Sequence, residues 1–294
     1  MSKRLRSFGT HDGSFHADEV TAAGLLLLYD CIDRDKIIRT RDPLKLAECE
    51  YVCDVGGSYD PDSLLFDHHQ SDYNGEMSSA GMIWKFLHDT GKVSDLEYRF
   101  FHEALIIGVD AHDNGKTIQE PGVCTYSHIV SNFLPIPHDS GSEAQDRGFS
   151  MALDFAIGHL QRVKNRFDYI QSCRATMVEA LKQKTTCLIF DHRIPWLELF
   201  FELDGESHPA EFMIMPSGEH WTLRGIPPTY EDRMSVRFPL PEEWAGLLDE
   251  DLKRVSGISG AIFCHKGRFI SVWETKEDAL KALDYILKIK GEKS

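Results

Sequence analysis

Apolar runs of strand length alternate with segments of helical composition along residues 1–115. The predicted strands are Leu5–Thr10, Lys36–Thr40, Tyr51–Asp54 and Ser63–Phe66. The predicted helices are Ala17–Tyr29, Pro43–Glu48, Ser79–Leu87 and Asp95–Asp110. Strands that alternate with helices in this way are typical of a parallel-sheet α/β domain, which we expect to span residues 1–140.

The remainder of the chain changes its pattern twice. A helical stretch without an internal proline runs from about Glu143 to Gln183, which predicts a connector over residues 141–185. The strands predicted after it are Cys187–Phe190, Leu197–Leu203, Glu211–Met215, His220–Gly225, Ala261–Cys264 and Phe269–Val272, and an amphipathic helix follows at Lys276–Lys288. We therefore predict a second, smaller, strand-rich α/β domain over residues 186–294, joined to the first domain by a long helix.

The charge balance is acidic, with 32 Lys and Arg against 47 Asp and Glu and a formal net charge of −15. Proteins that coat long nucleic acids or anionic membranes are usually basic, because contacts to phosphate supply most of their non-specific affinity. A phosphate-bearing partner would therefore need a local attraction, and bound metal cations are one source of it. The hydrophobic share of 42% is ordinary for a globular protein and excludes the disordered class.

Membrane, export and disulfide signals are absent from the sequence. The densest apolar run, Leu25–Leu28, is too short to span a bilayer, and Met1–Arg6 holds no apolar signal core. The seven cysteines include no Cys-x-x-Cys pair, and the nearest two, Cys49 and Cys53, are expected to be ordinary buried thiols. We expect a cytoplasmic protein without a membrane partner, and the oligomeric state stays open, with a homodimer as one alternative.

Polar clusters rich in Asp and His follow the predicted strands and close one helix. The clusters are His11–Asp18, Asp54, Asp67–His69 and Asp110–Asn114. Ligands of α/β sheets bind beyond the carboxyl ends of the strands, and convergent imidazole and carboxylate groups suit a divalent metal. Each cluster alone could be a set of cap or turn residues. Adjacent histidines point to opposite faces of an extended chain, so we expect His68 and His69 to have different partners.

The combined motifs resemble a known family. Asp67-His68-His69 is the triplet for which the DHH superfamily of metal-dependent phosphoesterases is named. The chain more closely resembles the melanocyte-proliferating-gene family, whose eukaryotic members are described as RNA exonucleases. The matching segments are Gly9-Thr10-His11, Phe15–Glu19, Arg39–Pro43, Asp54–Gly57, Tyr59–Pro61, Asp67–Gln70, Ser78–Gly81, Asp113–Gly115, Phe238–Pro241 and Ser256-Gly257-Ile258.

The resemblance implies a two-metal site. One cation would be held by His11, His16 and Asp54, and the other by Asp18, Asp54, His68 and Asp110. Asp54 would bridge the two cations, His69 would meet a phosphate oxygen, and Asp67 would orient a histidine. The superfamily usually opens with Asp-x-Asp, whereas His16 stands at the first of these positions here. Imidazole in place of a hard oxygen favours Mn²⁺, with Co²⁺ and Zn²⁺ as alternatives and Mg²⁺ less favoured.

The sequence therefore predicts a metal-dependent phosphodiesterase that trims short single-stranded RNA or DNA, as an exonuclease, by attack of a metal-activated hydroxide. The residues expected to contact substrate, besides His69, are Arg237, Gly257, Gly260 and His265 in the second domain. One alternative is a hydrolase of dinucleotides, nucleoside bisphosphates or pyrophosphate, and a lower alternative is a metal-binding module without activity. The direction of attack, the natural substrate and the native metal stay open.

Overall fold

The computed structural model describes residues 3–137 and 140–293. The chain divides into two units, Met1–Phe167 and Asp168–Ser294, each with its own five-stranded sheet and its own set of helices. The predicted α/β class is confirmed. The division lies inside the helical segment for which the sequence predicts a connector.

The sheet of the first unit is mainly parallel. Its strands are β1 (Arg4–Thr10), β2 (Ile37–Arg39), β3 (Cys49–Cys53), β4 (Tyr59–Asp60) and β5 (Leu65–Phe66), in the order β2-β1-β3-β5-β4. All neighbouring pairs run parallel except β4 and β5. The sequence missed β4, a strand of two residues at the sheet edge, and placed the start of β5 two residues early. Strand β5 begins only at Leu65 because Pro61–Ser63 forms a 3₁₀ turn that ends at Leu64 with a φ of +63°.

Within the described residues, seven α-helices begin in this unit. They are α1 (Ala17–Leu28), α2 (Pro43–Ala47), α3 (Ser79–Asp89), α4 (Asp95–Phe101), α5 (Ile107–Asp113), α6 (Tyr126–Ser131) and α7 (Ser142–Ser172). A π-helical turn at His102–Ile106 interrupts the helix predicted over Asp95–Asp110. Helix α1 is buried almost all round, and a Cβ on Gly24 would lie 2.9 Å from the Leu160 side chain of α7. Glycine at this position therefore allows α1 and α7 to approach closely.

The second unit has a mixed sheet covered by helices. Its strands are β6 (Cys187–Ile189), β7 (Phe212–Ser217), β8 (His220–Gly225), β9 (Ala261–Cys264) and β10 (Ile270–Trp273), in the order β6-β7-β8-β10-β9, with only β6 and β7 parallel. Its helices are α8 (Arg174–Leu181), α9 (Trp196–Glu202), α10 (Asp249–Ser256) and α11 (Lys276–Lys293). Ala279, Leu283 and Ile286 of α11 join the core beneath β7 and β8.

The strand predicted at Leu197–Leu203 is wrong, because this segment is helix α9. Pro195 precedes the first helical turn, and Trp196, Leu199 and Phe200 are buried at the i, i+3, i+4 spacing of one helical face. The helix predicted over Glu143–Gln183 is also two helices, α7 and α8, which separate at Cys173. Among the described residues, no helix combines the length and the apolar character needed to cross a bilayer.

Candidate metal centre

The carboxyl ends of three neighbouring parallel strands bring the predicted polar clusters together. His11 follows β1, Asp54 follows β3 and Asp67 follows β5, while His16 is the N-cap of α1. Three groups there have potential ligand atoms within 4.8 Å of one another: His11, His16, Glu19 and Asp54; Asp54, His68 and His69; and His16, Asp18 and Asp113. Asp54 and His16 each belong to two groups, so the three groups form one continuous site.

Asp54 lies at the middle of this site. Its backbone has a φ of +59°, in the left-handed region that Asp tolerates better than most residues. Its Oδ2 lies 3.1 Å from His11 Nε2, and its Oδ1 lies 3.4 Å from His68 Nε2 and 3.3 Å from His69 Nδ1. Burial opposes ionisation of Asp54, but the neighbouring His11 and His68 rings outweigh it and hold the pKa of this carboxyl well below its usual range. Asp54 therefore lies between His11 on one side and the rings of His68 and His69 on the other.

His11 is almost fully buried and has a fixed ring orientation. Its Nδ1 lies 3.0 Å from the carbonyl oxygen of Asp12, so Nδ1 carries the proton and Nε2 faces the site. Burial alone would lower the pKa of His11, but hydrogen bonds to Asp54 and Glu19 outweigh it and raise the pKa to about 10. In the metal-free protein the protonated ring therefore lies as a cation between two carboxylates. A metal ion bound to the same carboxylates would replace this positive charge.

His68 stands in a similar environment on the other side of Asp54. Its Nε2 lies 3.1 Å from Asp113 Oδ2 and 3.9 Å from Asp18 Oδ2. Burial disfavours the protonated ring, but Asp113 and Asp54 outweigh it and raise the pKa of His68 to about 10. Each buried histidine therefore holds a positive charge among carboxylates.

Asp18 shows that the site suits a cation. The residue is fully buried, and neither carboxylate oxygen has a hydrogen-bond partner among the described residues. Burial, followed by the charges of Asp54, Glu19 and Asp113, raises the pKa of Asp18 well above its usual range. A buried carboxyl without partners is unfavourable in either protonation state, and coordination of a divalent cation would remove this cost.

The expectation that His68 and His69 point to opposite faces of an extended chain is wrong, whereas different ligands for the two rings stay a prediction. Their ring centroids lie 4.3 Å apart, and both rings approach Asp54. Strand alternation does not apply because β5 ends at Phe66, before either histidine. Asp67 fixes His69, since its Oδ1 accepts a hydrogen bond from the backbone N–H of His69 and lies 2.8 Å from His69 Nδ1. The His69 side chain is 63% exposed, so its other ring nitrogen is available to a ligand.

Asp110, predicted as a metal ligand, belongs to none of the three groups. Its Oδ1 accepts hydrogen bonds from the N–H and hydroxyl of Ser78, at 3.0 and 2.7 Å, and from the N–H of Gly81 at 3.1 Å. These bonds hold Asp110 at the first turn of α3. Asp113, one helical turn later, belongs to the third ligand group instead.

Glu19 is a site residue that the sequence prediction missed. Its two oxygens accept hydrogen bonds from the backbone N–H of His16 at 3.0 and 2.9 Å, and Oε1 lies 3.3 Å from His11 Nε2. A capping box links an N-cap residue to a Glu three positions later. The spacing of His16 and Glu19 at the start of α1 was therefore the available signal.

Arg237, predicted to contact substrate phosphate, has no free donor. Its guanidinium donates to five backbone carbonyls, those of Gly205, Glu206, His208, Ala210 and Pro227, at 2.6–3.3 Å. Arginine has five N–H donors, so all of them are used within the second unit. These bonds do not favour the predicted contact with phosphate, which stays a prediction, and Arg237 joins the chain segments at 205–210 and 227.

Arg224, unlike Arg237, does not donate hydrogen bonds to backbone carbonyls of the described residues. It alternates on β8 with Leu223, which joins the core, so Arg224 lies on the other face of the sheet. The guanidinium carbon lies 5.8 Å from the ring of Trp196 and 5.5 Å from that of Phe269. Within residues 3–137 and 140–293 it has no hydrogen bond or ion pair, its Nε is buried, and burial lowers its pKa. A lone arginine within the predicted strand His220–Gly225 was the available signal for this residue.

The remaining predicted substrate residues lie near the ends of α10 and β9. Gly257 has a φ of +72° and ends α10, and a Cβ on Gly260 would lie 2.1 Å from a carboxylate oxygen of Asp278. Chain geometry thus accounts for both glycines. His265 follows β9, with its ring 4.3 Å from that of Phe269. Contact of these three residues with an anion stays a prediction.

The fold and the site define an α/β protein with a candidate two-metal centre at the carboxyl edge of a parallel sheet. Residues 7–285 match the model MYG1_exonuc, described as an uncharacterised protein family, UPF0160. The chain is 50% identical to the MYG1 protein of Chlamydia trachomatis over 96% of this chain and 97% of that protein. It is 34% identical to the MYG1 exonuclease of Homo sapiens over 92% of this chain and 83% of that protein. The chain therefore belongs to the MYG1 family.

A solved structure of RecJ with Mn²⁺ from Thermus thermophilus is a more distant match. The identity is 13%, the match covers 96% of this chain and 52% of that chain, and the TM-score is 0.27. At this TM-score the similarity carries no argument about the site or its chemistry.

Proposed function

We propose that this chain is a divalent-metal-dependent phosphodiesterase that releases nucleotides from an end of short single-stranded RNA or DNA. Human and mouse relatives over most of the chain are named exonucleases. The observation that carries the proposal is the position of Asp54, whose two oxygens face His11 on one side and His68 on the other. A carboxylate shared between two sets of ligands is the arrangement that a two-metal hydrolase requires.

The donor set fits two cations. The first would be held by His11, His16 and Asp54, and the second by Asp18, Asp54, His68 and Asp113 in place of Asp110. Mixed imidazole and carboxylate donors suit Mn²⁺, Co²⁺ or Zn²⁺ better than Mg²⁺, and we propose Mn²⁺. When bound, such cations would neutralise phosphate charge and lower the pKa of water between them.

The neighbouring side chains would orient this chemistry. Asp67 holds Nδ1 of His69, and the exposed ring would place its other nitrogen at a non-bridging phosphate oxygen. Glu19 would keep the His16 backbone and the His11 ring in place through the contacts described above. These residues bind and orient, and none of them needs to act as the nucleophile.

Arg224 is our proposed anion contact in the second unit, in place of Arg237. Its buried Nε has no partner among the described residues, and a half-buried cation without a counter-charge gains from an anionic ligand. His265 lies against Phe269, the same ring that flanks Arg224. Both residues would then meet phosphate groups along a short strand.

A second candidate is a hydrolase of small phosphate compounds. It is favoured by the formal net charge of −15, because an acidic surface is a poor track for long polymers. A metal-binding module without activity is less favoured, since all three groups of donors are complete.

The test is the Mn²⁺-dependent release of mononucleotides from labelled single strands of two to twelve nucleotides. We expect release by the wild-type protein, with Asp54→Asn and His68→Ala inactive and the surface variant His220→Ala unchanged. Turnover of the dinucleotide alone would favour the small-substrate alternative. Intact oligomers in the presence of bound Mn²⁺ would contradict the proposal.

A further inference from the structure

Two histidines outside the three ligand groups lie directly beside the candidate metal centre. His112 of α5 and His128 of α6 have ring centroids 5.1 Å apart with a T-shaped arrangement. His112 immediately precedes Asp113, a member of the third ligand group. Helices α5 and α6 pack on each other, and α6 also packs on α1, the helix whose N-cap is His16.

The position of His128 is fixed by several contacts. Helix α6 begins after Thr125, whose hydroxyl accepts a hydrogen bond from the His128 N–H at 3.3 Å. The next residue, Tyr126, has its hydroxyl 3.0 Å from Thr21 Oγ1 on α1, and its ring stacks on Phe155 of α7. Helix α6 is thus held against α1, the helix that carries His16 and Asp18, so the histidine pair belongs to the same rigid frame as the site.

Neither imidazole is used by the protein itself. No hydrogen bond or ion pair joins either ring to another side chain or to the backbone in the part of the chain that the structure describes, and their ring nitrogens are not among its buried unpartnered atoms. These nitrogens are therefore open to solvent.

The chemistry of the pair indicates which ligand it takes. It forms no group of three metal donors, so a further cation site is not supported within the described residues. The edge of one ring meets the face of the other, so the pair offers no open parallel surface for a base. A neutral imidazole still donates one N–H, and two such donors side by side match the oxygens of a phosphate.

We propose that His112 and His128 bind a phosphate group of the substrate beside the candidate metal centre. This inference rests on the proposed function for the identity of the substrate, but it concerns different residues. Cations at Asp18, Asp54 and Asp113 would remove the negative charge that otherwise repels an anion there. The pair would then supply hydrogen bonds that hold the nucleotide in register for cleavage.

The experiment compares two replacements at each histidine in the Mn²⁺-loaded protein. His112→Phe and His128→Phe keep a ring and remove the N–H, whereas His112→Gln and His128→Gln keep a donor. Binding of a nucleoside 5′-monophosphate and of the matching nucleoside is measured by calorimetry, with the surface variant His220→Phe as the control. We expect each Phe variant to bind the monophosphate about 10-fold more weakly, while the Gln variants stay within about 3-fold of wild type and nucleoside binding does not change.

Unchanged monophosphate affinity in both Phe variants would overturn this inference. An equal loss for monophosphate and nucleoside would also overturn it, because the effect would then not concern the phosphate. The outcome is separable from that of the proposed function. If the wild-type protein binds the monophosphate through the histidine pair but does not cleave oligomers, the phosphate-binding inference is supported and the proposed nuclease function is contradicted. If the protein cleaves oligomers and both Phe variants bind the monophosphate normally, the nuclease function is supported and the phosphate-binding inference is contradicted.

Discussion

Buried polar groups have opposite surroundings in the candidate metal centre and around Arg237. In the centre, both oxygens of Asp18 and one oxygen of Asp54 lack hydrogen-bond partners among the described residues. In the second unit, every N–H of the Arg237 guanidinium donates to a backbone carbonyl. Unpartnered buried groups cost stability, whereas satisfied ones contribute to it. Buried groups without partners therefore indicate residues that bind a ligand, whereas fully hydrogen-bonded groups indicate residues that stabilise the fold.

The largest effect is expected from Asp18→Asn. The substitution removes a buried carboxyl without partners, so the metal-free protein should unfold at a higher temperature, by an amount equivalent to about 1–2 kcal/mol. Loss of a ligand should at the same time lower Mn²⁺-dependent cleavage by roughly 10³-fold. Thermal unfolding in chelator and initial rates in Mn²⁺ measure the two effects. A variant that is both less stable and fully active would contradict the comparison.

The next test contrasts the two arginines of the second unit. Arg237→Ala should destabilise the protein by about 2–4 kcal/mol, because several buried carbonyls lose their donor. Arg224→Ala should leave stability within about 1 kcal/mol and raise the KM for oligonucleotides by roughly 10-fold, because its guanidinium has no protein partner to lose. Denaturant unfolding and steady-state kinetics on both variants check this. The reverse assignment of effects would show that Arg237, as the sequence predicted, contacts the substrate.

The pH dependence of the metal-free protein follows from His11 and His68. Both have a folded-state pKa of about 10, above the usual 6.5, so their contribution to stability is full below pH 6.5 and is lost as the pH rises through about 10. Metal binding needs the neutral rings, so Mn²⁺ affinity should rise over the same interval, by about tenfold per pH unit for each proton displaced. Unfolding in chelator and calorimetric titration with Mn²⁺ between pH 6 and 9 test both trends. Mn²⁺ affinity that falls over this interval would be incompatible with imidazole ligands.

The smallest contrast lies between two aspartates of one helix. Asp113→Asn should weaken Mn²⁺ binding by roughly 10-fold with little change in stability. Asp110→Asn should cost about 1 kcal/mol of stability, because its bonds to Ser78 and Gly81 weaken, and leave Mn²⁺ binding unchanged. Calorimetric titration with Mn²⁺ and thermal unfolding distinguish the two. Weakened metal binding only in the Asp110 variant would restore the ligand set that the sequence predicted.

The site residues that directly follow a strand were predictable from the sequence. His11, Asp54 and Asp67 each follow a parallel strand, and the polarity change at a strand end is visible in the chain. Helix α9 was not, because a short apolar run suits a strand or a helix until its buried face is known.

The sequence could not decide between neighbouring candidate residues, because tertiary contacts determine which of them reaches the site. The three-residue spacing of Asp110 and Asp113 places both side chains on one side of α5. The Ser78 hydroxyl donates a hydrogen bond to Asp110, so Asp110 is engaged there and Asp113 is the one that reaches the site. Arg237 and Arg224 differ in the number of carbonyls that distant segments bring to each guanidinium. Such contacts join residues far apart in sequence, so no local pattern reveals them.

The central claim is that Asp54 bridges two cations at the carboxyl edge of the first sheet. Crystals soaked in Mn²⁺ and measured at the manganese absorption edge test it most directly, since anomalous scattering locates each ion. We predict two peaks per chain, both at coordination distance from Asp54, one beside His11 and the other beside His68 and Asp18. A single peak, or peaks that Asp54 does not contact, would contradict the account.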